Sequence, residues 1–144
     1  MLKLPVDKDD TDTLFALKHL HSLKPSSITI VGGGGGRIDH LLGIFSLLKT
    51  DLAPNIWITG REIIYRVSGL FSLKDFLGSS ISVFPLDKDV CSINSYGLKW
   101  DLDSVDWKYK SIGISNYVQL EDGWIDSGNN QILIIIPINR KCFE

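Results

Sequence analysis

The hydrophobic pattern of this 144-residue chain predicts an α/β first half followed by an all-β sandwich. Three observations carry that prediction. Leu14, Leu17, Leu20 and Leu23 recur at helical spacing close to the start of the chain. A short β-branched run then enters five consecutive glycines, and a second helical pattern follows them. Beyond Gly69 no helical period survives, and short strand-like runs alternate with turn residues. The boundary therefore falls near residues 68–72, dividing the chain into an α/β domain over 1–69 and a β-sandwich over 70–144.

The first helix is predicted over 11–23. Asp9 or Asp10 stands at its start as a cap, and Pro25 stops the pattern. Residues 27–31 read as a strand that runs into the glycines. Ile38, Leu41, Leu42, Phe45 and Leu48 then mark a second amphipathic helix. Two strands, 56–58 and 63–67, flank a turn at Thr59, Gly60 and Arg61. Further strands are expected over 80–86, 90–94, 97–102, 112–118 and 131–138, separated by segments such as Ser127-Gly128-Asn129-Asn130.

Composition narrows the chemistry. With 44% apolar residues the chain can bury a core, and 15 basic against 17 acidic residues leave no uniformly cationic surface for nucleic acid. Cys91 and Cys142 lack metal-ligand spacing and read as free thiols of a cytoplasmic protein. The N-terminus turns acidic before a signal-type apolar core can form. The longest apolar run, 132–138, is too short to span a bilayer, so no membrane association is expected.

Two patches stand out. Asp7-Lys8-Asp9-Asp10-Thr11-Asp12 places four carboxylates at a helix start, where capping needs only one. An EF-hand is excluded, because Asp12 occupies the place of its glycine and Lys18 that of its glutamate. The second patch, Gly32 to His40 (GGGGGRIDH), is a loop without side chains, then a cation, then a helix N-terminus. Free N–H groups, the helix dipole and Arg37 all favour phosphate oxygens there. It fits neither the dinucleotide fingerprint, since Arg37 replaces the third glycine, nor a Walker loop, which requires a lysine. Together the patches describe a site for a metal-bound nucleotide. His19 and His21 lie two apart and cannot share a helical face as metal ligands. Trp57, Trp100, Trp107 and Trp124 are expected to fill cores or interfaces, Trp100 by packing near the substrate-binding half.

The acidic helix start, the GGGGGRIDHLLG segment and a β-rich half containing GLKWDL and GISN, in that order, resemble the thiamin pyrophosphokinase family. The resemblance implies an N-terminal nucleotide domain, a C-terminal thiamin-binding β-sandwich, and a homodimer with thiamin held where the subunits meet. It implies transfer of pyrophosphate from ATP to thiamin with Mg²⁺ as cofactor. Carried over residue by residue, Asp12 matches a position near Mg²⁺ and thiamin, and Asp9 a further acid of the motif. Gly34, Gly35, Gly36 and Arg37 fall on the ATP side, Asp39 on an acid beside it, and Ser115 and Asn116 on the thiamin side. His40, at the helix start beside the loop, is read on its position alone as an ATP phosphate contact or a structural hydrogen-bonding residue. A carboxylate among Asp9, Asp12 and Asp39 would orient the thiamin hydroxyl or accept its proton. Family members usually carry an earlier Gly-Asp-aromatic-Asp-Ser loop that binds Mg²⁺. No such loop occurs here, so the nucleotide domain is expected to be partial. The alternative is a truncated, noncatalytic relative that keeps thiamin or nucleotide affinity.

Overall fold

A computed structural model describes residues 10–87, 92–107 and 113–138. Asp9, Cys91, Cys142 and part of the strand expected over 90–94 lie outside them. Helix α1 spans Asp12–Ser22 and is capped by Thr11, whose Oγ1 accepts the Leu14 N–H at 3.2 Å. The cap is thus Thr11 rather than Asp10, which instead pairs with Lys18 at 2.5 Å. Lys24, with φ of 52°, turns the chain out of the helix ahead of Pro25.

Strand β1 (Thr29–Val31) pairs in parallel with β2 (Ile56–Ile58), and helix α2 (Ile38–Leu47) makes the crossover between them. From β2 the chain reverses into β3 (Glu62–Val67). Thr59 Oγ1 builds that turn by accepting the N–H groups of Arg61 and Glu62 at 3.1 and 2.8 Å. The remaining strands are β4 (Leu70–Ser72), β5 (Ser80–Pro85), β6 (Asn94–Tyr96), β7 (Gly113–Tyr117), β8 (Trp124–Asp126) and β9 (Ile132–Pro137). Six strands form one mixed sheet in the order β1-β2-β3-β9-β5-β7, and three form a second, β4-β8-β6. The larger sheet thus draws β1, β2 and β3 from before Gly69 and β5, β7 and β9 from after it.

Two cores meet on β9. Ile132, Ile134 and Ile136 point into a cluster with Ile81, Val83, Val118 and Ile125, which fills the space between the sheets. Leu133 and Ile135 face the other way, toward Trp57, Ile64, Leu48, Ile44 and Phe45, so the outer face of the large sheet is covered by α2. Among the described residues no helix is long and apolar enough to cross a membrane.

Several expectations change. The strand expected over 97–102 is reduced to a bridge between Leu98 and Val118, followed by a 3₁₀ turn at Leu102–Ser104. Lys99 N–H still donates to the Tyr117 carbonyl at 2.9 Å, but at Trp100 the Asn116 side chain takes both the backbone N–H and the carbonyl, so no backbone ladder continues there. Strand β6 begins only at Asn94, within the last residue of the expected 90–94 run. β4 and β8 were not anticipated; each is three residues long, too short for an alternating pattern to register. Trp57 and Trp107 are buried as expected, whereas Trp100 is 55% exposed rather than packed.

Ile134 is fully buried at the centre of β9, and Leu70 is 71% exposed at the edge of the small sheet. Ile134→Ala should cost about 2–5 kcal/mol in urea unfolding, while Leu70→Ala should stay within about 0.5 kcal/mol. Comparable small losses from both would contradict the placement of the core on β9.

Candidate active site

The glycine loop leaves the carboxyl end of β1 and is fastened to its neighbours from behind. Gly32 donates its N–H to the Ile58 carbonyl at 2.8 Å, and its own carbonyl accepts Trp57 Nε1–H at 2.6 Å. Gly32, Gly33 and Gly36 have φ values of 98°, 72° and 85°, open to glycine at no steric cost. A Cβ on Gly34 would lie 2.2 Å from the Thr59 Cβ, and one on Gly33 would lie 2.7 Å from Ile44 Cδ1. Among the described residues the amides of Gly33, Gly34, Gly35 and Gly36 donate to no protein acceptor. Consecutive open amides leading into a helix N-terminus suit an anion.

Arg37 is the N-cap residue of α2, and its guanidinium, which has no acceptor, makes no cap bond. It pairs with Asp39, Nε donating to Oδ1 at 3.1 Å and Nη2 donating to Oδ2. The hydrogen bond from Arg37 holds the Asp39 carboxyl below its ordinary range, and the backbone N–H of His40, donating to Oδ1 at 3.0 Å, adds to that.

A cleft of about 710 Å³ opens between the N-termini of α1 and α2. Asp12, Gly33, Gly35, Arg37, Asp39 and His40 all line it, so the acidic helix start and the glycine-arginine loop share one cavity. Gly34 turns to the opposite side of the loop and lines an apolar cavity of about 530 Å³ with Trp57, Thr59 and Phe84. Gly36 supplies left-handed backbone at the end of the loop rather than a cleft wall. Asp9 lies outside the described residues. Among those described, no group of three or more acidic, cysteine or histidine side chains gathers around a metal-sized gap.

Ser115 and Asn116 lie elsewhere, in a cavity of about 350 Å³ lined also by Ser80, Lys99, Trp100 and Tyr117. Ser115 is exposed with φ of 59°, and its N–H donates to Ser82 Oγ at 3.1 Å. Asn116 is only 4% exposed, and its amide is occupied by the chain itself. Oδ1 accepts the N–H groups of Trp100 and Tyr117 at 3.1 and 2.8 Å, and Nδ2 donates to the Trp100 carbonyl at 2.6 Å. Asn116 therefore shapes this cavity by fixing Trp100. Lys99 Nζ lies 4.3 Å from the centroid of the Trp100 indole.

Sequence reasoning missed Gly33, Trp57 and Thr59. Gly33 is one of five identical residues, and only the backbone trace distinguishes which of them face the cleft. Trp57 and Thr59 act through the parallel pairing of β1 with β2, a long-range contact that no local pattern announces.

Because the folded-state pKa of Asp39 is depressed, its pairing contributes at neutral pH and is lost as pH falls through that lowered value. NMR titration should place the Asp39 midpoint below that of an ordinary aspartate, and Arg37→Ala should raise it. The same variant should leave the melting temperature within about 2 °C, since the guanidinium is an exposed partner. An unmoved Asp39 midpoint would show that the pair does not persist in solution.

Two family models match: thiamin pyrophosphokinase, catalytic domain, over residues 1–59, and thiamin pyrophosphokinase, vitamin B1 binding domain, over residues 71–132. A thiamine pyrophosphokinase of Bacillus subtilis (strain 168) is 32% identical over 103 residues, covering 68% of this chain and 48% of the relative. The crystal structure of the Bacillus subtilis thiamine pyrophosphokinase superposes with a TM-score of 0.73 at 24% identity, over 92% of this chain and 65% of that one. A thiamin pyrophosphokinase family protein from Enterococcus faecalis gives 0.78 at 23% identity, over 96% and 68%. The chain thus spans about half the length of the curated relative and about two thirds of these solved chains. With both halves matched in order by the two domains of one family, the chain belongs to the thiamin pyrophosphokinase family.

Proposed function

We propose that the protein transfers the terminal pyrophosphoryl group of ATP to the hydroxyethyl oxygen of thiamin, giving thiamin diphosphate and AMP. One observation carries this reading beyond family membership: the acidic start of α1 and the glycine-arginine loop open onto a single cleft. In the reaction the thiamin oxygen forms a bond to the β-phosphorus of ATP, the bond from that phosphorus to the bridging α-β oxygen breaks, and AMP leaves with the bond electrons. The hydroxyl proton passes to a carboxylate or to water. Such a transfer depends on alignment and on neutralising the phosphate oxygens.

In this proposal the open amides of the glycine loop and the Arg37 guanidinium receive the phosphates, with His40 at the edge of the cleft. Asp39 is assigned to orienting Arg37. Both Asp39 oxygens are engaged by Arg37, and Asp12, which lines the same cleft, is assigned to orienting the thiamin hydroxyl. Asp12 also fits Mg²⁺, because that ion commonly takes one or two protein carboxylates and completes its octahedron with phosphate and water. When bound, Mg²⁺ would offset charge on the phosphates.

Thiamin is assigned to the second half, at the cavity of Ser115 and Asn116. That cavity and the phosphate cleft share no lining residue. A homodimer that sets the thiamin cavity of one protomer against the cleft of its partner would join them. The residues 1–69 would then serve the nucleotide and 70–144 the vitamin, in the cytoplasm where ATP is available.

Incubation with ATP, Mg²⁺ and thiamin should yield AMP and thiamin diphosphate in equal amounts. Asp12→Asn should lower turnover by about tenfold or more. Thiamin binding without either product would replace the enzyme by a noncatalytic relative of the family.

A further inference from the structure

The glycine loop separates two cavities, and the residues behind it have no place in the proposed reaction. Gly33 and Gly35 face the polar cleft, whereas Gly34 faces the apolar cavity on the other side. Trp57 and Thr59 line only that apolar side. Trp57 is 5% exposed and packs its ring among Leu48, Ile64 and Leu133, so the direction of its Nε1–H is set by the core. That N–H ends on the Gly32 carbonyl at 2.6 Å.

A loop of glycines has little conformational preference of its own. Each peptide in it could present either its carbonyl or its N–H to a ligand, and a carbonyl oxygen repels phosphate. The restraint must therefore come from outside the loop. Trp57 turns the first carbonyl back into the sheet, and the Ile58 carbonyl receives the first N–H at 2.8 Å. Thr59 fills the space where a Gly34 side chain would stand. Thr59 is itself fixed: its hydroxyl donates to Glu62 Oε2 at 2.7 Å and accepts the Arg61 and Glu62 N–H groups at 3.1 and 2.8 Å.

We propose that Trp57 and Thr59 are positioning residues of the phosphate loop: from the buried side they fix its peptide orientations, so that amides rather than carbonyls meet the anion. The inference rests on the phosphate role proposed for the loop. Trp57 carries most of the effect, because it holds the peptide from which the following turns start.

The test uses the full chain, with inorganic triphosphate as the probe and NMR of the loop glycine amides as the readout. Trp57→Phe keeps an aromatic ring and loses the N–H. It should shift the Gly32–Gly36 amide signals without ligand and weaken triphosphate about three- to tenfold, leaving thiamin affinity unchanged. In turnover assays the KM for ATP should rise while kcat stays within about twofold. Incorporation of β-(3-benzothienyl)alanine at position 57 preserves the shape of the indole without its N–H, and should reproduce the loss if Trp57→Phe fails to fold. Triphosphate affinity equal to wild type in a folded variant overturns the proposal, as does a wild-type loop that ignores triphosphate. A wild-type loop that binds triphosphate in a Trp57-dependent way, in a protein that forms no AMP, would sink the enzymatic reading and leave this one standing.

Discussion

The alternation of Ile132, Leu133, Ile134, Ile135 and Ile136 along β9 is the constraint on which the other elements depend. Even-numbered residues enter the core between the sheets, and odd-numbered ones enter the core beneath α2. A strand apolar on both faces cannot set its own register, since a slip of one residue exchanges one set of aliphatic side chains for another. The register is set by its neighbours. β3 pairs with β9 from Glu62 opposite Pro137 to Val67 opposite Ile132, and Arg66 Nε ties the strand to the Leu48 carbonyl at 3.2 Å. β5 holds the other edge from Ser82 to Pro85.

That arrangement bears directly on the cleft. β9 fixes β3, β3 fixes β2 through the turn built on Thr59, and β2 holds β1 and the glycine loop through parallel pairing. The loop amides proposed to receive the anion are thus supported by a continuous ladder that runs into the second half of the chain. The cleft lies at the carboxyl end of a parallel strand pair, where open α/β sheets gather their ligands. Its charged groups come from two helix starts: α1 brings Asp12, and α2 brings Arg37 and Asp39.

Much of this was legible because it is local. The leucine spacing of α1, the strand-glycine-helix order and the 56–58 and 63–67 strands all reappear, since each is written in a periodicity or a turn signal. The joint cleft was legible as well, in two patches whose chemistry complements one another. What escaped detection is long-range or very short. Strands β4 and β8 hold three residues each. The break after Lys99 depends on the Asn116 side chain, which takes both backbone groups of Trp100. Asn116 looks in sequence like a ligand-binding amide, yet burial and three backbone partners at Trp100 and Tyr117 give it a scaffolding task. Trp100 looks like a core residue, yet the same clamp holds its backbone while the residue remains more than half exposed. In both cases tertiary hydrogen bonds, invisible to composition or spacing, decide what the side chain does.

The central claim is that the open amides and Arg37 receive phosphates that Asp12 helps bridge through a divalent cation. A crystal structure of the protein with Mg²⁺ and a non-hydrolysable ATP analogue tests it most directly. The account predicts phosphate oxygens within hydrogen-bond distance of the Gly33 and Gly35 amides and of the Arg37 guanidinium, with the metal beside Asp12. A nucleotide bound elsewhere, with these amides facing only water, would contradict it.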